Sequence, residues 1–221
     1  MSLILNIDTA VGMASVCLAE NEKAIAFKSN PQQKDHAAWL QPAIKEIFAE
    51  QQLSLSSLKA VAVSYGPGSY TGLRVGMSAA KGLCYALEIP LITVSSLKMM
   101  ASTALSEQTD LLCPMIDARR AEVFTAVYDK QLNDVLRPVN KILDSDSFSD
   151  LLAQYSISFF GNGSVKFREM LQHPNAFFST IEANAKHMIL LSLDKFQKAD
   201  FADLAYAEPF YGKDFHSTSV K

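Results

Sequence analysis

Val-Ala-Val-Ser-Tyr-Gly-Pro-Gly-Ser-Tyr-Thr-Gly-Leu-Arg-Val-Gly-Met-Ser-Ala-Ala-Lys-Gly-Leu-Cys-Tyr-Ala-Leu, residues Val61 to Leu87, is the stretch whose reading decides the fold. A buried strand runs into a glycine turn and then into a helix that is apolar on more than one side. Gly66, Gly68, Gly72 and Gly76 are four of only nine glycines among 221 residues. Glycine concentrated in this way either holds a ligand or lets another backbone come close.

The helix sorts into stripes. Leu73, Met77, Ala80, Cys84 and Leu87 form a large apolar one. Gly72, Gly76, Ala79, Leu83 and Ala86 form a second, mostly small one. Arg74, Ser78, Lys81, Tyr85 and Glu88 form the polar one. A surface helix ordinarily has a single apolar stripe. Two imply covering on two sides, by the helix's own sheet and by either a neighbouring helix or a second chain.

The turn ahead of it has the form of a phosphate loop, with N–H groups at a positive helix end. It lacks the Gly-Lys-Ser/Thr ending of a Walker A loop. Gly66-x-Gly68-x-x-Thr71 also misses the third dinucleotide glycine. Asp8 with Thr9 after the first strand, and Asp117 after a later one, could place two carboxylates over a cleft to hold magnesium. Aspartates serving turn geometry explain the same positions. Asp8, Thr9, Gly66, Gly68 and Asp117 are therefore the candidate cofactor-binding residues.

Working outward, Leu3 to Asp8, Met13 to Glu20 and Lys23 to Ser29 read as a three-stranded meander. Asp35 opens a helix to about Gln51, with Leu40, Ile44, Ile47 and Phe48 on one side and Pro42 predicted to kink or split it. Leu91 to Val94 is a strand, and Ser95 or Ser96 caps the next helix. This order predicts a ribonuclease H-like domain over residues 1–108.

A smaller unit follows over 109–221. It has a hairpin of Leu111 to Asp117 and Glu122 to Asp129, a strand over Leu136 to Leu143 and a helix over Phe148 to Gln154. Ser156 to Phe160 is a short strand, Gly161-Asn162-Gly163 turns into a helix ending near Gln172, and Ala183 to Gln197 is a late helix that could return to the first unit. Phe215 to Lys221 reads as a frayed end.

The totals exclude several classes. Apolar residues make up 49% and charged residues 19%, as in ordinary globular proteins. A net charge of −3 gives no long-range attraction for nucleic acid. The first residues lack the pattern of a signal peptide, and no apolar run reaches membrane-spanning length. Cys17, Cys84 and Cys113 are widely spaced in apolar stretches and read as reduced core thiols of a cytoplasmic protein. None of His36, His173, His187 and His216 has a second histidine three or four residues away, and no Gly-x-Ser-x-Gly elbow is present. No self-sufficient catalytic or metal site is assembled.

Three blocks carry a family resemblance: Asn6-Ile7-Asp8-Thr9-Ala10, Gly66 through Gly76 with Ala80-Lys81-Gly82-Leu83, and Asp117 through Phe124. Gly161-Asn162-Gly163, Pro209 and Tyr211 fit as well. The chain resembles the bacterial TsaB (YeaZ) family, which serves the formation of N6-threonylcarbamoyladenosine (t6A) in tRNA. The resemblance implies an α/β fold of two ribonuclease H-like halves of the actin/Hsp70/sugar-kinase (ASKHA) type, the second reduced.

It also implies a pseudoenzyme that pairs with a TsaD-like catalytic subunit and a TsaE-like ATPase, with tRNA contacted only through the complex and a homodimer formed alone. The TsaD-like subunit carries a His-x-x-x-His metal pair. His36 stands at its second position and Gln32 at its first, so no cofactor is expected in this chain, and ATP and a metal are expected in its partners. The expected partner surface is Leu40, Ile44, Ile47 and Phe48 with Gly72, Gly76, Ala79 and Leu83. The competing classes are a small ATP-dependent kinase or metallopeptidase of the same superfamily, and a homodimeric nucleotide-binding module.

Overall fold

The computed structural model describes residues 2–32 and 35–212. Strands β1 (Leu3–Asp8), β2 (Ala14–Glu20) and β3 (Lys23–Asn30) form the antiparallel meander. β4 (Ala60–Gly66) and β5 (Leu91–Ser95) add in parallel, giving the order β3-β2-β1-β4-β5. The second sheet repeats this plan with β6 (Leu111–Asp117), β7 (Glu122–Tyr128), β8 (Asp134–Ile142), β9 (Ile157–Phe160) and β10 (Ala176–Phe178). Its order is β10-β9-β6-β7-β8, with β9 and β10 parallel to β6. Two sheets with one shared topology confirm the doubled ribonuclease H-like architecture.

Period-two alternation assigns the two faces of β1. Leu3, Leu5 and Ile7 join a core under helices α1 (His36–Glu50) and α2 (Tyr70–Leu87). Ile4 lies on the opposite face with Met99, Met188 and Leu193. Helix α3 (Ser96–Thr103) is shared by the two sheets. Met99 packs on the first, while Leu97, Met100 and Ala101 pack on Leu112, Phe124 and Tyr128 of the second. Short helices α4 (Ser149–Leu152) and α5 (Ser164–Met170) surround the second sheet, where Phe148, Phe159 and Phe167 form an aromatic cluster.

Several local features differ from expectation. α1 runs through Pro42 without splitting, because that residue sits on the exposed side of the helix. α2 begins two residues early, where the Ser69 hydroxyl accepts the Gly72 N–H at 3.3 Å. It ends at Glu88, which takes a left-handed conformation with φ 55°. The late helix is α6 (Ile189–Gln197), preceded by a 3-10 turn over Ala185–Met188 that Asn184 caps. It packs on β1 and β5 of the first sheet. β10, three residues long, carries too little pattern to be read from sequence. The expected frayed end, Phe215 to Lys221, and His216 lie outside the described residues.

Candidate functional site

β1 delivers Asp8 to the sheet face that also holds Ile4 and Asn6, away from α1 and α2. Its Oδ1 accepts two hydrogen bonds, from the Ala10 N–H at 3.0 Å and from the Ser64 hydroxyl at 2.6 Å. Its Oδ2 is buried and has no hydrogen-bond partner. Burial pushes the carboxyl from 3.8 up to about 6, against the opposing pull of Ser64 and Ala10.

Asp8 lines a cleft of about 400 Å³ between the two halves. Val11, Gly12, Met13, Met99 and Met100 form one side, and Gly161, Asn162, Ser164, Val165, Arg168 and the segment Phe178 to Ala183 form the other. Asp117 is not among the lining residues. It is exposed, accepts the Arg119 N–H at 2.9 Å and pairs with Lys166 at 2.6 Å, which holds its carboxyl below the usual range. The structure therefore does not bring the two expected carboxylates to one magnesium site. Among the described residues no group of three or more His, Cys, Asp or Glu could hold a metal ion.

The glycines of the turn are used from within. A Cβ on Gly68 would strike the Ala10 carbonyl, and the Ser69 N–H donates to that oxygen at 2.7 Å. Gly66, at φ 121°, sits against the Phe210 carbonyl, while the Phe210 N–H donates to Tyr65 at 2.7 Å. Gly72 and Gly76 face Thr9, whose hydroxyl donates to the Gly72 carbonyl at 2.7 Å. Close approach of backbone explains Gly66, Gly68 and Gly72, and the Thr9 side chain explains Gly76. Residues 9–10 and 210 pack against the turn.

The same contacts correct the expected docking residues. Leu40, Ile44, Ile47 and Phe48 are buried at 0–3% exposure in the chain's own core, because α1 has one apolar stripe and spends it on its sheet. Gly72 and Gly76 are buried against the β1–β2 turn. Farther along, the small stripe emerges: Ala79 and Leu83 are half-buried and Ala86 is exposed. A groove between α1 and α2 is lined by Ala37, Gln41, Val75, Ser78 and Ala79, with Leu40 at its base and Arg74 at one end.

The family model described as "TsaD: tRNA N6-adenosine threonylcarbamoyltransferase" matches residues 28–214. A relative from Bacillus subtilis, "tRNA threonylcarbamoyladenosine biosynthesis protein TsaB", is 34% identical over 57% of this chain and 54% of its own length. The protein of that name from Escherichia coli is 36% identical over 60% of this chain and 57% of its own length. A solved structure from Pseudomonas aeruginosa, "uncharacterized protein with similarity to peptidase YEAZ", has a TM-score of 0.83. It is 27% identical and covers 96% of this chain and 100% of that one.

The chain belongs to the family that this TsaD model describes and, within it, to TsaB (YeaZ).

It matches a little over half the length of those two curated TsaB relatives. An activator of 2-hydroxyisocaproyl-CoA dehydratase from Clostridium difficile has a TM-score of 0.53 at 10% identity, a likeness of fold alone.

In this TsaB-family chain His36 is buried in α1 with no hydrogen-bond partner at Nε2, and burial lowers its basicity. One feature was absent from the sequence reading. The end of the described chain straps across α2: Lys81 donates to the carbonyls of Ala205 and Ala207, and Arg74 donates to the Tyr211 hydroxyl at 3.0 Å. Arg74 also lies 4.1 Å from the centre of the Tyr70 ring. The signal available for it in the sequence was the pairing of Tyr70 with Arg74 at helical i,i+4 spacing; Tyr211 fitted the family resemblance, but nothing in the spacing brought it to Arg74, 137 residues away.

Proposed function

We propose that this chain is a non-catalytic subunit in the formation of t6A in tRNA, docking onto a TsaD-like transferase through the outer face of α1 and α2. The observation that carries the reading is the groove between those helices. Ala37, Ser78 and Ala79 line it, and Gly82 beside it has nothing within 4 Å of its Cβ direction. Small side chains let a partner helix approach closely, and Val75 and Leu83 supply apolar surface beside them. The TsaB names of its relatives supply the pathway.

In this reading the transferase supplies the metal, a TsaE-like ATPase handles ATP, and tRNA meets the assembly through those partners. The isolated chain self-associates through the same face, and the assembly works in the cytoplasm. His36 and Gln32 do not make a chelating pair, so metal-dependent transfer rests with the partner. Co-elution with a TsaD-like protein at micromolar concentration tests the pairing. Ala79→Arg is expected to weaken it at least about tenfold with the unfolding midpoint unchanged. Two folded proteins that fail to co-elute, or a complex indifferent to Ala79→Arg, would overturn the reading.

A further inference from the structure

The cleft between the halves is separate from the α1–α2 face and is not explained by docking. Its wall holds a carboxylate with one oxygen doubly hydrogen-bonded and the other bare. A buried polar atom without a partner is rare in folded proteins and calls for a specific explanation. Among the described residues no lysine, arginine or histidine forms an ion pair with Asp8. Arg168 reaches the cleft but is engaged elsewhere, donating to the Phe178 carbonyl at 2.9 Å with its guanidinium 5.4 Å from that ring's centre. Glu182, also lining the cleft, offsets the charge of Arg168 and leaves that of Asp8 uncompensated.

We propose that this cleft binds a small organic ammonium, whose nitrogen caps Asp8 Oδ2 and whose apolar body lies against Val11, Met13, Met99, Met100 and Ile181. An ammonium supplies at once the missing hydrogen-bond donor and the missing countercharge. A divalent cation would need several oxygen ligands, and no other acidic side chain that lines the cleft is buried with Asp8. The apolar wall favours an organic body over a hydrated ion. Asp8 is only 1% exposed, so binding requires the wall around its carboxylate to open, and three methionines line that wall.

The probes are benzylamine and cyclohexylmethylamine, with benzyl alcohol, benzoate and magnesium–ATP as controls. Ligand-observed NMR gives affinity, and methyl shifts of Met13, Met99 and Met100 locate the site. Saturable amine binding is expected, with the alcohol at least about tenfold weaker and Asp8→Asn weakening the amine by a similar factor. Met13→Trp, which fills the mouth while leaving the carboxylate in place, should block the amine as well. If Asp8→Asn fails to fold, Met13→Trp and the wild-type methyl shifts carry the test. No saturation up to ~10 mM amine, equal binding of alcohol and amine, or unchanged affinity in the folded variants would overturn the proposal. Magnesium–ATP binding that depends on Asp8 would overturn it too, in favour of a nucleotide.

Discussion

Asp8→Asn tests the electrostatics of the cleft without reference to any partner. The side chain keeps its shape, and its oxygen can still accept from Ser64 and Ala10. Raising the Asp8 carboxyl from 3.8 to about 6 corresponds to about 3 kcal/mol. A carboxyl raised in the folded state binds its proton more tightly there than in the unfolded chain. Ionised Asp8 therefore costs stability above about pH 6, and the cost fades as pH falls toward 4. Asparagine carries no such charge. The variant should match wild type near pH 4 and exceed it at pH 8 by at most about 3 kcal/mol, less whatever its new amide N–H groups lose in the apolar wall. Urea titrations at several pH values give the difference curve, and near 200 residues each kcal/mol moves the melting midpoint by about 2–4 °C. A difference that is flat with pH, or that grows as pH falls, would refute the assignment of Asp8 as a desolvated, uncompensated carboxylate.

Three further outcomes follow from the packing. Gly72→Ala drives a methyl into the Thr9 carbonyl and should cost about 2–4 kcal/mol in urea unfolding, whereas Gly82→Ala on the same helix meets open space and should gain up to about 1 kcal/mol. Cys17, Cys84 and Cys113 are buried, with thiols pushed up to about 11, 11 and 12, so Ellman's reagent at pH 8 should find them silent until urea unfolds the chain. Tyr211→Ala removes the hydrogen bond from Arg74 and a ring centred 4.9 Å from that of Tyr70, so amide exchange at Phe210 should accelerate while that of β1 stays slow.

The strands other than β10 were legible because their signals are local. Alternation marks β1 to β3, and the strand–glycine–helix sequence marks β4 and α2. The docking residues were not, for a reason visible in α1. Leu40, Ile44, Ile47 and Phe48 are the single apolar stripe of an amphipathic helix, and such a stripe covers the helix's own sheet before any partner. On α2 the spacing puts Gly72, Gly76, Ala79 and Leu83 on one side. It is silent about Thr9, 63 residues earlier, which covers the first two and leaves the others open. The far wall of the cleft, Phe178 to Ala183, has no period at all, so the cavity exists only once the chain is folded.

Asp8 and Asp117 occupy the same place in the two halves, each ending the first strand of its sheet. Each accepts the backbone N–H two residues on. Turn geometry therefore accounts equally for both, and for that purpose alone asparagine would serve as well. What separates them is the countercharge: Lys166 reaches Asp117 at 2.6 Å, while Asp8 stands in the cleft wall with Oδ2 bare. A buried negative charge left without a partner costs free energy that the turn does not require. The second half thus serves as an internal control for the first, and what it fails to explain at Asp8 is the charge itself. That charge is what the proposed ammonium would meet.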